Sequence, residues 1–419
     1  MRIYQRLRIK LSIIFIIITL IPTLIIGIYA IQIASQTLQT QTLTRQTEQV
    51  KILSDIIKSF LLSVKNDLLF LSQSVPLREY LNLHTALMSD PHSQSVPISL
   101  PAATEQAMRN ILEQKQNALE QEFLSFSRYR QIYYQIRYLD ETGQEIVRVD
   151  ADEFKSWIVA KNLLQNNAEH HDFQETMRLA TKQLFVSKLA LRREPTGQIA
   201  NPAKPMIRYA VKVYYPNNQR DSNNQRAGII VLNVDVNQLL QELGDALLID
   251  QEGFFLHHPD PKKCWGDSNN LKTGYTLAKD YPQLASQVLS KNGTLSTSTM
   301  TLSYQRIVVP GTSQQWTLLI LQHTREIYQS ITKFRWVFNI ILTSAIFSAI
   351  LFAIILSTQI IRPIEQLTRI ANAISQGELI ENRVEINAKG EIGQLAQAFE
   401  RMRVSMIKSF EKLRKQSRI

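Results

Sequence analysis

Three arginines sit in short stretches of alternating side chains: Arg137 and Arg148 within 132–149, and Arg208 within 207–215. Tyr133, Tyr134 and Tyr209 lie beside them, and Asp235 closes a third such stretch, 227–236. A guanidinium offers a planar fork of N–H donors that matches both oxygens of a carboxylate. These residues are the candidate set for holding a small molecule, a carboxylate or an amino acid. By alternation, Arg137 shares a strand face with Tyr133 and Gln135. The competing reading is structural, with the arginines paired to Asp140, Asp150 or Asp235. Other constellations offer less. His170-His171 and His257-His258 are adjacent pairs that a strand points to opposite faces, and no Cys or third His is spaced to complete a metal site. Asp260, Asp267 and Asp280 lack calcium-loop spacing. The Ser, His and Asp residues form no nucleophile-elbow or triad signature. The chain reads as a non-enzyme that uses no metal or cofactor.

The elements that must position these arginines follow from periodicity. Residues 132–139 and 144–149 alternate around Asp140-Glu-Thr-Gly143, which predicts a hairpin. A helical run over 169–183 and strands near 184–192, 207–215 and 227–236 complete an antiparallel α+β plan. Asp250-Gln-Glu-Gly253 repeats the first turn, with strands at 246–250 and 254–257 and further strands near 301–308 and 316–321. The expectation is two tandem sheet modules, a distal one over about 105–240 and a proximal one over about 241–325. A long helix precedes them. Gly and Pro are absent from 30–75, and Leu43, Val50, Ile57, Val64 and Leu71 recur every seventh residue. Such a stripe seeks a partner, either a second copy of the chain or the chain's own domain. Residues 89–103, with three prolines, read as a loop, and 105–126 as another helix.

Two uncharged apolar segments, 11–33 and 336–361, bracket this region. Each is long enough to cross a hydrocarbon core of about 30 Å as a helix. Arg2, Arg6, Arg8 and Lys10 precede the first, and residues 362–419 carry 11 Lys/Arg against 7 Asp/Glu. Positive charge flanking both outer ends places both termini in the cytoplasm and residues 34–333 outside it. The same flanking charge accounts for much of the net +11, because anionic lipid headgroups attract it. No zinc-finger spacing, basic helix or RNA-binding signature supports a nucleic-acid partner. A single cysteine, Cys264, rules out an intrachain disulfide.

The layout resembles the double Cache (PDC-type, PAS-like) sensors of bacteria. Tyr134-Gln-Ile-Arg-Tyr-Leu-Asp140 with Gly143, Glu145 and Arg148 resembles the first hairpin of such domains. Pro202-Ala-Lys-Pro-Met-Ile-Arg-Tyr209 resembles the strand that completes their first pocket. Asp250–Asp260 with Trp265-Gly266 is similar to the opening of their membrane-proximal module. After the second apolar segment, Arg362-Pro363-Ile364, Leu367, the Gly377 turn, Glu391-Ile-Gly393, Leu395, Ala398-Phe399 and Met402 resemble a HAMP linker over 362–414. Gly390 and Glu400 stand where that family usually has Asp and Asn. The resemblance implies two PAS-like sheet modules outside the bacterial inner membrane, two transmembrane helices, and a HAMP parallel coiled coil inside. It implies a homodimeric receptor for a small molecule. Pro363, Gly377, Glu391, Leu395 and Phe399 would be its signalling residues. The sequence closes at Ile419 without a phosphoacceptor His, an ATP-binding glycine motif or a methyl-accepting hairpin. Output is therefore expected from a separate cytoplasmic protein. The alternatives are a membrane-anchored scaffold for a protein or cell-wall partner, or the sensor half of a truncated histidine kinase, cyclase or chemoreceptor.

Overall fold

A computed structural model describes residues 2–88, 102–194, 196–216, 225–297, 299–376 and 390–416. It divides the chain into two compact units, Gln41–Thr324, and Met1–Thr40 with Arg325–Ile419. Helix α1 (Arg2–Ser72) contributes to both.

In the unit Gln41–Thr324, α1 is followed by α2 (Val75–Met88) and α3 (Ala102–Arg130). The first sheet has seven strands: β1 (Tyr133–Leu139), β2 (Glu145–Ala151), β3 (Ser156–Ile158), β4 (Leu184–Val186), β5 (Ala190–Leu191), β6 (Pro205–Tyr214) and β7 (Arg226–Asp235). Their order is β3-β2-β1-β7-β6-β4, with β5 also on β6. Helix α4 (His171–Arg178) lies between β3 and β4 in sequence and covers less than the predicted 169–183. Lys182 then adopts φ 68°, a left-handed conformation no helix tolerates. The single strand expected over 184–192 is split, because Ser187 hydrogen-bonds Arg208 through both its amide and its hydroxyl.

Alternation in this sheet sends Ile136, Tyr138, Val147, Ile207, Tyr209, Ile230 and Leu232 to one face, against α1, α2 and α3. The heptad stripe of α1 finds its cover here. Val50, Ile57, Leu61, Val64, Leu68 and Leu71 are at most 3% exposed within one chain. The two partners left open by the sequence are thus resolved over this stretch in favour of the chain's own domain. Replacing Ile57 with Ala is expected to cost about 2–5 kcal/mol, read from a denaturant melt. A cost near zero would mean the stripe is exposed in the free chain. The other sheet face is apolar at one end, where Phe173 of α4 packs on Leu139, Ala210, Ile229 and Val231. At its opposite end it is polar.

The second sheet follows α5 (Asn237–Gln241). It comprises β8 (Leu247–Ile249), β9 (Phe255–His257), β10 (Gly293–Ser296), β11 (Met300–Val308) and β12 (Gln315–His323), in the order β10-β11-β12-β8-β9. Helices α6 (Leu277–Asp280) and α7 (Pro282–Ser290), both unforeseen, close one face over Ile249, Phe255 and Leu319. The other face, with Leu248, Leu256, Trp265, Trp316 and Leu318, joins the same core as the first sheet. The two sheets therefore share apolar packing. Their opening turns are also alike. Asp140 Oδ1 accepts the Thr142 and Gln144 amides, and Asp250 Oδ1 accepts those of Glu252 and Phe254. Gly143 and Gly253 supply the left-handed residue at φ 84° and 88°.

In the other unit, α8 (Thr324–Leu356) runs through a π-helical turn, Ser357–Ile361, into α9 (Arg362–Ser375); α10 (Gly390–Gln416) follows. Among the described residues two helices are long and apolar enough to cross a membrane, one in α1 and one in α8–α9. Within this unit Phe15 of α1 stacks on Phe352 of α8 with centroids 5.0 Å apart. The connector of the predicted HAMP pattern, Gly377 included, lies outside the described residues.

Candidate functional site

The polar end of the first sheet's second face floors a cavity of about 580 Å³. Strands β1, β2, β6 and β7 supply Gln135, Arg137, Arg148, Asp150, Arg208 and Asn233. Segments around α4 and β5 supply Asn167, His170, Asp172, Arg192 and Arg193. The structure thus gathers four of the predicted residues, Tyr134, Arg137, Arg148 and Arg208, around one space.

The other predicted residues go elsewhere. Tyr133 was expected on the Arg137 face, but a register shift between Tyr133 and Gln135 interrupts the alternation. It turns Tyr133 to the helix side, where its hydroxyl donates to Asp67 of α1. Tyr209 neighbours Arg208 in sequence and so points the opposite way. It is fully buried in the helix-side core and its hydroxyl has no partner among the described residues. Asp235 lines a separate cavity of about 450 Å³ with Tyr133 and Tyr134. Tyr134 borders both cavities. Burial, and then the hydrogen bond to Asp235, hold its hydroxyl well above the ordinary phenol range.

Inside the main cavity the arginines differ sharply. Arg137 is buried and lies 3.3 Å from Glu145 Oε1 and 3.7 Å from Asp172 Oδ2. Burial pushes its pKa down, and the two carboxylates oppose that shift. Glu145 is itself inaccessible and accepts the Gln165 amide at 3.0 Å and the Asn167 side chain at 3.0 Å. Arg148 forms a two-point fork with Asp150 at 2.9 and 2.8 Å, and lies 3.6 Å from Glu145. The Asp150 hydrogen bonds raise its pKa. Arg137 is thus paired with Glu145 and Asp172, and Arg148 with Asp150 and Glu145; of these partners only Asp150 was among those suggested by the sequence, and both arginines still line the cavity. Arg208 is different. Its ion pair, to Asp172 Oδ2, spans 4.0 Å, and its buried Nε has no hydrogen-bond partner among the described residues. Its side chain is nevertheless 38% exposed and lines the cavity. Asn233 Oδ1 is likewise buried without a partner.

Glu145, named above only as part of the hairpin resemblance, joins the site because a second register shift, between Tyr138 and Leu139, moves it across the pleat to the Arg137 side. Asp172 lies in the first turn of α4, where an acid is ordinary. Nothing in its local sequence marks it. Of the predicted signalling residues, Pro363 is buried, while Glu391 and Leu395 are exposed and Phe399 is half-buried in the single chain.

Comparison with known proteins adds the following. Residues 78–320 match the family model described as bacterial histidine kinase, sensor domain, and residues 355–408 match the HAMP domain. No curated relative matches the chain. Among solved structures, a domain of a protein described as sensory box/GGDEF family, from Vibrio parahaemolyticus, is 19% identical with a TM-score of 0.54. The alignment covers 69% of this chain and 98% of that one. The extracellular domain of the histidine kinase vpHK1S-Z8 is also 19% identical at a TM-score of 0.54, over 71% of this chain and 96% of its own. At that identity the likeness speaks to the fold. The resemblance to Cache-type sensors with a HAMP linker therefore stands. With more than half its length inside the matching model, the chain belongs to the family of bacterial histidine kinase sensor domains.

Proposed function

We propose that this chain is a transmembrane sensory receptor whose first sheet binds a small zwitterion, an amino acid or a close relative, in the 580 Å³ cavity. The observation that carries the ligand class is the Arg208–Asp172 pair. Arg208 lines the cavity with a side chain that is 38% exposed, and the Asp172 carboxylate lies 4.0 Å from its Nε. A ligand carboxylate would take the Arg208 fork and its ammonium would take Asp172. The lining supports a neutral ligand over a simple anion: Arg137, Arg148, Arg192, Arg193 and Arg208 face Glu145, Asp150, Asp152, Asp172 and Glu194. The cavity thus has no net charge for an anion to neutralise. A sensing rather than a catalytic role fits the sensor and HAMP matches. The HAMP segment implies a downstream output, which we assign to a separate cytoplasmic protein. Leu395, Met402 and Met406 stay exposed on α10 of the single chain, as a seam awaiting a second copy would.

The test is a thermal-shift screen of the full chain in lipid nanodiscs against the standard L-amino acids. At least one should raise the melting temperature, and Arg208→Ala should remove that shift while leaving the unliganded melt near the parent's. A charge-assisted contact of about 1.5–3 kcal/mol corresponds to roughly ten- to a hundredfold in affinity. If no amino acid shifts the parent, or the shift survives Arg208→Ala, the assignment is wrong. For topology, a reporter fused after Ile419 should be active as a cytoplasmic fusion; activity outside the membrane would reverse the orientation.

A further inference from the structure

One segment belongs both to the wall of the cavity and to the second sheet's surroundings. Residues 190–194 leave β5 and line the cavity with Arg192, Arg193 and Glu194. The same segment is bonded to the loop 265–274. The Leu191 amide donates to Asn270 Oδ1 at 2.8 Å, and Arg193 Nη2 donates to the Asn269 carbonyl at 2.6 Å. Asn270 is buried, so its contact is made away from water. The loop that receives these bonds is internally tied. Leu271 donates to the Trp265 carbonyl at 2.9 Å and Gly274 to the Gly266 carbonyl at 3.0 Å. It is also tied to the second sheet, because the Trp265 amide donates to the Phe255 carbonyl of β9 at 2.8 Å. Strand β9 pairs with β8, and β8 with β12. His323, the last residue of β12, directly precedes α8 in sequence.

Arg193 is the changeable member of this chain of contacts. Its guanidinium donates to two neutral carbonyls, those of Gly197 and Asn269, and among the described residues no carboxylate pairs with it. A carboxylate carries charge and offers two oxygens to the fork, so it is a stronger acceptor for a guanidinium than a neutral carbonyl is. A carboxylate arriving in the cavity would therefore compete for the fork that now holds Asn269. We propose that Arg193 is an occupancy-reporting residue: a carboxylate in the cavity draws it off the Asn269 carbonyl and so loosens the 265–274 loop beneath the second sheet. This inference rests on the reading that the cavity takes an amino-acid-like ligand, but one arm of its test does not.

The test is hydrogen–deuterium exchange on the full chain in nanodiscs, read in peptides covering 265–274. Without additive, Arg193→Ala should raise exchange there by about tenfold over the parent, a signature of local opening. Arg193→Lys, which cannot span both carbonyls, should give an intermediate value. Both substitutions fall at an exposed position and should leave the melt unchanged. With a mixture of the standard L-amino acids as the probe, the parent should shift toward the Arg193→Ala value, whereas Arg193→Ala should not respond further. If exchange at 265–274 in Arg193→Ala equals the parent's, the link from Arg193 to the loop does not exist, whatever binds the cavity. If the mixture raises the parent's melting temperature but leaves 265–274 unmoved, binding is real and the relay is overturned. If the mixture raises neither melt nor exchange, the amino-acid reading fails, and the additive-free arm alone decides the link.

Discussion

Glu145→Ala lowers the melting temperature by roughly 6–20 °C, because a loss of about 3–5 kcal/mol is expected when one partner of a buried ion pair is removed, and each kcal/mol moves a domain of this size by about 2–4 °C. The reason is the density of groups that Glu145 satisfies. Its carboxylate is wholly inaccessible and holds Arg137, the Gln165 amide and the Asn167 side chain, with Arg148 at 3.6 Å. Removing it strands a buried guanidinium and two neutral donors together. Asp172, at 3.7 Å from Arg137, is too far to take over the hydrogen bond. Glu145→Gln keeps the volume but not the charge, and should fall between the parent and Glu145→Ala. A calorimetric or fluorescence melt of the purified chain decides it. A Glu145→Ala melt within a few degrees of the parent would show that water enters and solvates Arg137, contrary to its 8% side-chain exposure.

The second large effect is expected at Gly228→Ala. Gly228 lies near the start of β7, with φ 130°, where side chains are strained. A Cβ there would sit 1.9 Å from the Leu139 carbonyl oxygen and 2.8 Å from the Asp140 Cα. Both obstacles are backbone of the β1 end and its turn, which no rotamer change can move aside. The β1–β7 ladder runs directly alongside, from Tyr133↔Val234 to Leu139↔Ile229. Inserting a methyl must therefore push the central strands β1 and β7 apart or abandon the left-handed conformation, and a loss above about 4 kcal/mol is expected. A denaturant titration of the full chain measures it. A loss near 1 kcal/mol would mean that the strand end shifts freely.

Much of this architecture was legible from the sequence, for identifiable reasons. The turns at Asp140 and Asp250 were visible because an Asp–x–x–Gly run between alternating segments has few other uses. The heptad stripe of α1 was visible too, although periodicity says that a stripe is covered and not by what. Of the candidate ligand residues, Tyr134, Arg137, Arg148 and Arg208 line one cavity, whereas Tyr133, Tyr209 and Asp235 do not. Its arginines were picked by residue type within expected strands, and strand alternation was applied across one place where the ladder slips. That slip put Tyr133 on the wrong face, and a second, which local sequence does not mark, carries Glu145 to the Arg137 side. Tyr209 was grouped with Arg208 through adjacency, although adjacency in a strand means opposite faces. Asp172 reaches the arginines only through the tertiary placement of α4, which no local pattern encodes. Helices α6 and α7 were missed because they are short and their capping signals are embedded in a polar stretch.

The paired turns bear on the order in which the chain comes together. Each closes a loop of a few residues, so β1–β2 and β8–β9 can zip at little entropic cost. The remaining joins are distant. Tyr138 reaches the Ala227 carbonyl across 89 residues, and Gln46 of α1 meets Thr301 of β11 across 255. Ladders of that span form slowly, since the closure must be completed before its contacts repay it. The two hairpins would therefore stand as early islands, and the docking of β7 onto β1 would set the pace. A translating ribosome releases β1 well before β7. During that interval the β1 edge is open, while the helix-side face of β1 can already be covered by α1, α2 and α3, the elements made first.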